Sequence, residues 1–368
     1  MIPLARPFLG EEEAAAVREV LRTGTLVQGP RAAELESLVA SFCQRRHAVA
    51  LCSGTSALSL ALETLGIGPG DQVLCPDLTW PSPAHAVMRR GAEPVLVDVD
   101  FDEWNATAET FRAALTLQTR AAIVIDQFGN PARVREIAES LPGVAVIVDA
   151  ACSLGSFVGD IPCGALGVIA CTSFHPRKII TTGEGGICLT DDPKLDERLR
   201  MLRNHGVDRT GVDFEQASGN FRMSELAAAI GVVQMSRLRI MVEERRQLGA
   251  RYLELLSGLS GLGLQREADG CRSNYQAFGV LLPDRLAGAK RDSVVRALRE
   301  QGVEAGRLSY ALHRLGSLRS AARETERSGR SLGVSAAVAD RGLALPLFVG
   351  MTAAEQEQVA RALLNLIS

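Results

Sequence analysis

The feature that most constrains this chain is a series of short, almost wholly apolar runs. QVLCP, PVLVDV, AAIVID, VAVIVDA, GVIACTSF and GGICLT follow one another between residues 72 and 190. A strand with one wet face alternates apolar and polar residues, whereas an unbroken apolar run belongs to a strand covered on both faces. Helical patterns separate most of these runs, as at 107–117 and 131–141. The alternation predicts an α/β fold with a largely parallel sheet between two helical layers. Only residues 175–184 lie between GVIACTSF and GGICLT, too few for a helical crossover, so one antiparallel pair is expected there.

Before these runs the pattern predicts helices at 11–22 and 31–43 flanking the loop TGTLVQGP. A strand from His47 to Leu51, the turn CSGTS and a helix over 56–65 come next. After them a helical stretch runs from Ser224 to Leu256, expected as two helices. The composition loosens at SGLSGLGLQREADG, which places a boundary between a large unit, 1–256, and a smaller α+β unit, 257–368. The smaller unit holds a strand (YQAFGVLL), a helix over 290–301, an Arg- and Ser-rich loop over 314–331 and a last helix from 352. A length of 368 residues, 46% hydrophobic, suits two units.

A net charge of −3 argues against a nucleic-acid partner, and no apolar run reaches bilayer-spanning length. MIPLARPFLGEEEAAAV turns acidic too soon for a secretory leader. The 8 cysteines include no C-x-x-C pair and read as buried reduced thiols of a cytoplasmic protein.

Of the 40 basic residues only three are lysines, Lys178, Lys194 and Lys290. Arginine stays protonated and cannot form an imine, whereas lysine can. Lys194 and Lys290 lie in polar surroundings, but Lys178 stands between an apolar strand and TTGEGG. It reads either as an amine held at a strand end to condense with an aldehyde cofactor, or as a surface loop lysine. Asp149 closes VAVIVDA, where ligands of open α/β sheets bind; it suits a protonated ring nitrogen, a helix N-cap or a ribose. CSGTSAL suits a phosphate at a helix start or an ordinary N-cap. Trp80, in PDLTWPSP, suits stacking on a flat ring or anchoring a loop. The five arginines between 314 and 330 suit a solvated loop better than a diphosphate site. The five histidines show no metal-ligand spacing, and neither a P-loop nor a G-x-S-x-G elbow is present.

The order SGTSAL, PDLTW, VDAACSLGS, SFHPRK–TTGEGG, LRNHG, GNFRMSELAAAIG and LPLF resembles the DegT/DnrJ/EryC1/StrS sugar aminotransferases along nearly the whole chain. The resemblance implies the pyridoxal-phosphate-dependent transferase fold type I, with a mostly parallel seven-stranded sheet in the large domain. It implies pyridoxal 5'-phosphate as cofactor, with Lys178 as the imine-forming, proton-carrying lysine and Asp149 on the ring nitrogen. Trp80 would stack on the ring, and Gly54, Thr55, Ser56 and Ser173 would hold the phosphate. Asn220 would reach the phosphate of a neighbouring subunit, giving a homodimer with shared sites. His205, Arg222, Tyr310 and His313 are implied on the substrate side. The implied reaction moves an amino group from glutamate or glutamine to a keto sugar, usually nucleotide-linked. Cys152 departs from the family, which commonly carries Gln or His there against the cofactor's ring hydroxyl; a thiol is a weaker hydrogen-bond donor.

Three other readings stand beside this one. One is a cyclitol-ketone aminotransferase or sugar dehydratase of the same family, although the dehydratase branch has His where Lys178 stands. Another is a non-catalytic pyridoxal-phosphate-binding regulator. The last, a nucleotide-dependent oxidoreductase, lacks G-x-G-x-x-G after the first strand.

Overall fold

The computed structural model describes residues 1–367. Strands and helices are numbered along the chain. The main sheet has seven strands in the spatial order β1 (His47–Leu51), β10 (Gly186–Thr190), β9 (Ile169–Ser173), β6 (Ala145–Asp149), β5 (Thr119–Ile125), β2 (Gln72–Pro76) and β4 (Glu93–Val97). β10 is antiparallel to both its neighbours, and the remaining pairs are parallel. The expected antiparallel step is therefore β9 to β10, and every other strand ends at the same edge.

Alternate residues of each strand enter two different cores. Val146 and Val148, with Val124 and Ala170, meet α2 (Pro30–Phe42), α5 (Ala108–Ala113), α6 (Val134–Ser140) and α8 (Glu225–Leu256) through Leu35, Phe111, Ile137 and Leu238. Ile123, Ile147 and Ile169 meet α3 (Gly54–Thr64), α4 (Ser82–Arg89) and α7 (Pro193–Arg203) through Leu60, Val87 and Leu199. Double coverage is why these strands are apolar throughout. α1 (Glu11–Thr23) lies along α8.

A second sheet, all antiparallel, has the order β11 (Gly263–Leu264), β13 (Phe278–Leu281), β16 (Gly342–Leu345), β14 (Gly306–Arg307). It packs with α9 (Ala289–Glu300) and α12 (Ala353–Ile367) around Phe278, Leu298 and Leu363. The same core takes in Tyr252 and Leu256 from α8 and Ile2 from the N-terminus. Residues 310–341 return to the main sheet. β15 (Tyr310–Ala311) pairs with β3 (Leu78–Thr79), while α10 (Arg319–Arg327) packs against β4 and α11 (Gly333–Arg341) against β3. A three-stranded ribbon of β12 (Cys271–Arg272), β7 (Phe157–Val158) and β8 (Ile161–Pro162) completes the strands.

Several expectations are corrected. The stretch after Ser224 is one helix, α8, about 48 Å long at 1.5 Å per residue. Gly249 does not break it: a Cβ there would stand 2.8 Å from the Tyr275 ring, so glycine lets the helix dock closely. Residues 314–331 are not a plain loop but contain α10, whose Ala321 and Thr325 are buried while polar residues cover the rest. The helices expected at 107–117 and 131–141 are the shorter α5 and α6.

Arg245 ties α8 to the second sheet. Buried, it donates to the carbonyls of Tyr275 (2.6 Å), Gln276 (2.7 Å) and Leu347 (3.1 Å). Arg245→Leu would leave three carbonyls unpaired, and urea unfolding should show a loss of about 3 kcal/mol or more. A loss below about 1 kcal/mol would contradict this account.

Candidate active site

Because all strands but one run the same way, β1, β2, β5, β6 and β9 deliver their carboxyl ends to one edge, where open α/β sheets bind ligands. Asp149 is the last residue of β6 and is 7% exposed. Its carboxylate accepts from Ala151 N–H at 3.1 Å. Burial raises its proton affinity, opposed by that N–H and by the positive charge of Lys178. A carboxylate so placed needs a cationic partner to stay ionised.

Lys178 follows β9 in a turn closed by its own N–H on the His175 carbonyl (2.8 Å). It is half-buried, while Lys194 and Lys290 are exposed. Its Nζ donates to Cys152 Sγ at 3.1 Å. Lys178, Asp149 and Cys152 thus form one group. Of the cysteines, six are buried, but Cys52 and Cys152 are only half-buried.

A segment that sequence reasoning missed fixes this group. Asn274 Nδ2 donates to the carbonyls of Cys152 and Leu154, both at 2.9 Å. Gln276 Nε2 donates to the Arg177 carbonyl at 3.0 Å. Tyr275 between them is left-handed (φ +47°), which sends the two amides toward different loops. Asp126, just past β5, was also missed. It is 1% exposed and accepts from Ser153 Oγ (2.6 Å) and Ala132 N–H (2.8 Å). Burial pushes its carboxyl up to about 6 against those hydrogen bonds. Neither SNYQ nor IDQFG carries a spacing that announces these roles.

The start of α3 lies against the end of β9. A Cβ on Gly54 would stand 2.7 Å from Ser173 Cβ and 3.2 Å from the Thr172 carbonyl, so only glycine permits this approach. Ser53 caps the helix, accepting from Ser56 N–H at 3.1 Å. The approach gathers Thr55, Ser56 and Ser173 around a helix N-terminus, a setting suited to a phosphate. Thr55 Oγ1 also meets Ser82 Oγ at 2.7 Å, joining this corner to the loop that carries Trp80. Trp80 is 64% exposed, so it is not a buried anchor; its ring meets Tyr310 edge-on at 5.6 Å. His313 is gripped by Asp77, its N–H on Oδ1 (2.7 Å) and its Nδ1 against Oδ2 (2.6 Å). Burial raises the Asp77 carboxyl's proton affinity and His313 opposes it.

His205, Asn220 and Arg222 form a separate strip. His205 N–H donates to Gly219, Arg222 donates to Asn204 Oδ1, and Asn204 bridges Asn220. The strip runs beside the end of β1 through the Arg222–Leu51 bridge. The hydrogen bonds of these three residues go to one another's surroundings and do not include Lys178.

A model of the DegT/DnrJ/EryC1/StrS aminotransferase family matches residues 7–364. The chain belongs to this family. Its enzymes depend on pyridoxal phosphate. Among solved structures, the chain is similar to the aminotransferase TlmJ from Streptoalloteichus hindustanus, with 32% identity, a TM-score of 0.91 and coverage of 100% of this chain and 98% of that one. It is also 32% identical to DesV from S. venezuelae, solved with a ketimine intermediate (TM-score 0.90; 97% and 95% covered). The GDP-4-keto-6-deoxymannose-3-dehydratase ColD, at 21% identity and a TM-score of 0.90 over 99% and 100% of the chains, shares the fold.

The residues present fit the family's cofactor. Lys178 offers an amine, Asp149 a buried carboxylate short of positive charge, and the Gly54–Ser173 approach a phosphate corner. Gly54→Ala should push α3 off β9 and weaken cofactor binding at least about tenfold, measured by equilibrium dialysis. Unchanged affinity would rule out this corner. Asp126 gives a second test. Its folded value lies above the ordinary 3.8, so its contribution to stability is complete below about pH 4 and is lost as pH rises through about 6. Relative to Asp126→Asn, the wild type should lose up to about 3 kcal/mol across that window in urea unfolding. Parallel pH profiles would refute it.

Proposed function

We propose that this enzyme transfers the amino group of glutamate or glutamine to a keto sugar, most often one carried on a nucleotide. The observation that supports it is the lysine amine of Lys178 set beside the Asp149 carboxylate at the carboxyl edge of the sheet, in a chain of this family. Bound pyridoxal phosphate supplies an aldehyde and an electron-withdrawing ring. Lys178 Nζ would hold the aldehyde and, once displaced by the donor's amine, would be the free base that takes the donor's Cα proton and returns it on the cofactor side. Asp149 keeps the ring nitrogen protonated, since a buried carboxylate is itself stabilised by that charge. Trp80 would cover one ring face, and Thr55, Ser56 and Ser173 would hold the phosphate. Cys152 stands beside the amine, where its weak donor strength would hold a ring hydroxyl less tightly than an amide would.

We further propose that two copies share their sites. Asn220 is exposed and the contacts of its strip do not reach the Lys178 group, which suits a residue that serves a second chain. Tyr310 and His313 sit beside Trp80 and Asp77 and would face the sugar. The division at 256/257 would separate a cofactor unit from a smaller unit, with α8 shared by both cores. Among the described residues no helix is long and apolar enough to cross a membrane, and we place the enzyme in the cytoplasm. Lysine at 178 favours transamination over dehydration.

The test uses purified protein loaded with pyridoxal phosphate. Glutamate or glutamine should change its visible spectrum and release the 2-oxo acid, and a nucleotide keto sugar should restore the starting spectrum. A protein that binds the cofactor but never responds to a donor is a regulator instead, and restoration by a cyclitol ketone alone moves the acceptor class. Lys178→Ala should lower transamination at least about a hundredfold and lose borohydride-stable attachment of the cofactor. Near-normal turnover in that variant would reject the role of Lys178.

A further inference from the structure

The pair formed by Cys152 and Lys178 has chemistry that transamination does not use. Sγ lies 3.1 Å from Nζ, which places a thiol and an amine in direct contact. Both backbones are pinned by one segment, Asn274 on the Cys152 carbonyl and Gln276 on the Arg177 carbonyl, so the two groups are held near each other. Access singles out this thiol. Cys43, Cys75, Cys163, Cys171 and Cys271 are buried, and burial pushes their thiols up, away from the reactive thiolate. Cys188 is buried as well. Cys52, the other half-buried cysteine, faces the Ser56 hydroxyl at 3.2 Å and has no amine beside it in that contact.

We propose that Cys152 and Lys178 are a peroxide-sensitive modification site, at which oxidation closes a sulfur–nitrogen bond between the two side chains. One hydrogen peroxide oxidises the thiol by two electrons: its O–O bond breaks, one oxygen joins Sγ as a sulfenic acid and the other leaves as water. The unprotonated Lys178 amine then attacks Sγ. Hydroxide leaves, takes the amine proton and departs as a second water. The protein has lost two hydrogen atoms, and an S–N bond remains. Two equivalents of an external thiol reverse it, restoring amine and thiol and yielding a disulfide of the reductant. While the bond stands, Nζ is unavailable to an aldehyde. The link rests on the contact alone; its effect on catalysis rests on the function proposed above.

The experiment treats the full-length protein, stripped of pyridoxal phosphate, with stoichiometric hydrogen peroxide under native conditions and maps the digest by mass spectrometry. The peptides carrying residues 152 and 178 should appear joined, at the summed mass less two hydrogens, and separate with dithiothreitol. Treated protein should fail to take up pyridoxal phosphate until reduced. Protein loaded with the cofactor beforehand should form little of the link, because its amine is engaged. Cys152→Ser should form none, and whatever cofactor uptake it has should be the same with and without peroxide, while Cys52→Ser should link as the wild type does. Cys152 driven to sulfinic acid on a peptide separate from Lys178, Cys152 left reduced, or undiminished cofactor uptake after treatment would each overturn the proposal. None of these outcomes touches the aminotransferase reading, which stands or falls on the donor response and on Lys178→Ala.

Discussion

The buried carboxylate of Asp149 is the charge around which the rest of the site is organised. It ends a strand covered on both faces, where water is scarce and an unpaired negative charge is costly. One backbone N–H and the nearby Lys178 offset part of that cost, leaving the carboxyl's proton affinity raised. A cationic partner at this strand end would offset the remainder. The parallel sheet matters because it brings the ends of β6 and β9 to the same edge, so the Asp149 carboxylate, the Lys178 amine and the Gly54–Ser173 corner lie in the space beyond that edge.

The geometry of that space is set partly from a distance. Arg245 on α8 holds the carbonyls of Tyr275 and Gln276. The same short segment holds Cys152 and Arg177 through Asn274 and Gln276. A long helix, a left-handed turn and two amides therefore form a continuous mechanical path to the lysine. On the other side, Asp126 holds Ser153, the residue after Cys152. The turn bearing Cys152 is thus fixed from two directions, which holds its thiol in place beside the Lys178 amine. The corner of α3 depends on a different device, the absence of a side chain at Gly54.

Much of this was legible from residue order because it follows from local chemistry. Apolar runs such as VAVIVDA must be covered on both faces, and a lysine among arginines stands out. Lys178, Asp149, Cys152, Gly54 and Ser173 are legible in residue order, and the structure brings them together in two adjoining groups. Asn274, Gln276 and Asp126 are not legible there, since a polar residue in a loop looks alike whether it faces water or a carbonyl a hundred residues away. α10 was hidden for a related reason: RSAARETER has too few apolar residues to show a helical period, and its helix exists because Leu318 and Ala321 find Leu96 of β4. The loop TGTLVQGP likewise takes its shape from Glu225, whose carboxylate accepts from Gly29, Arg31 and Ala32.

By itself, the order of residues determined the layered α/β class, the single reversed strand and the kind of chemistry available at one lysine. These depend on hydrophobic period, connection length and side-chain type, all of which are properties of neighbouring residues. Only the folded chain decided that α8 runs unbroken, that Trp80 stands open against Tyr310, and that a thiol lies within hydrogen-bond distance of the amine. Those outcomes depend on which distant surfaces meet, and hydrogen bonds and packing across such separations leave no periodic trace in the sequence.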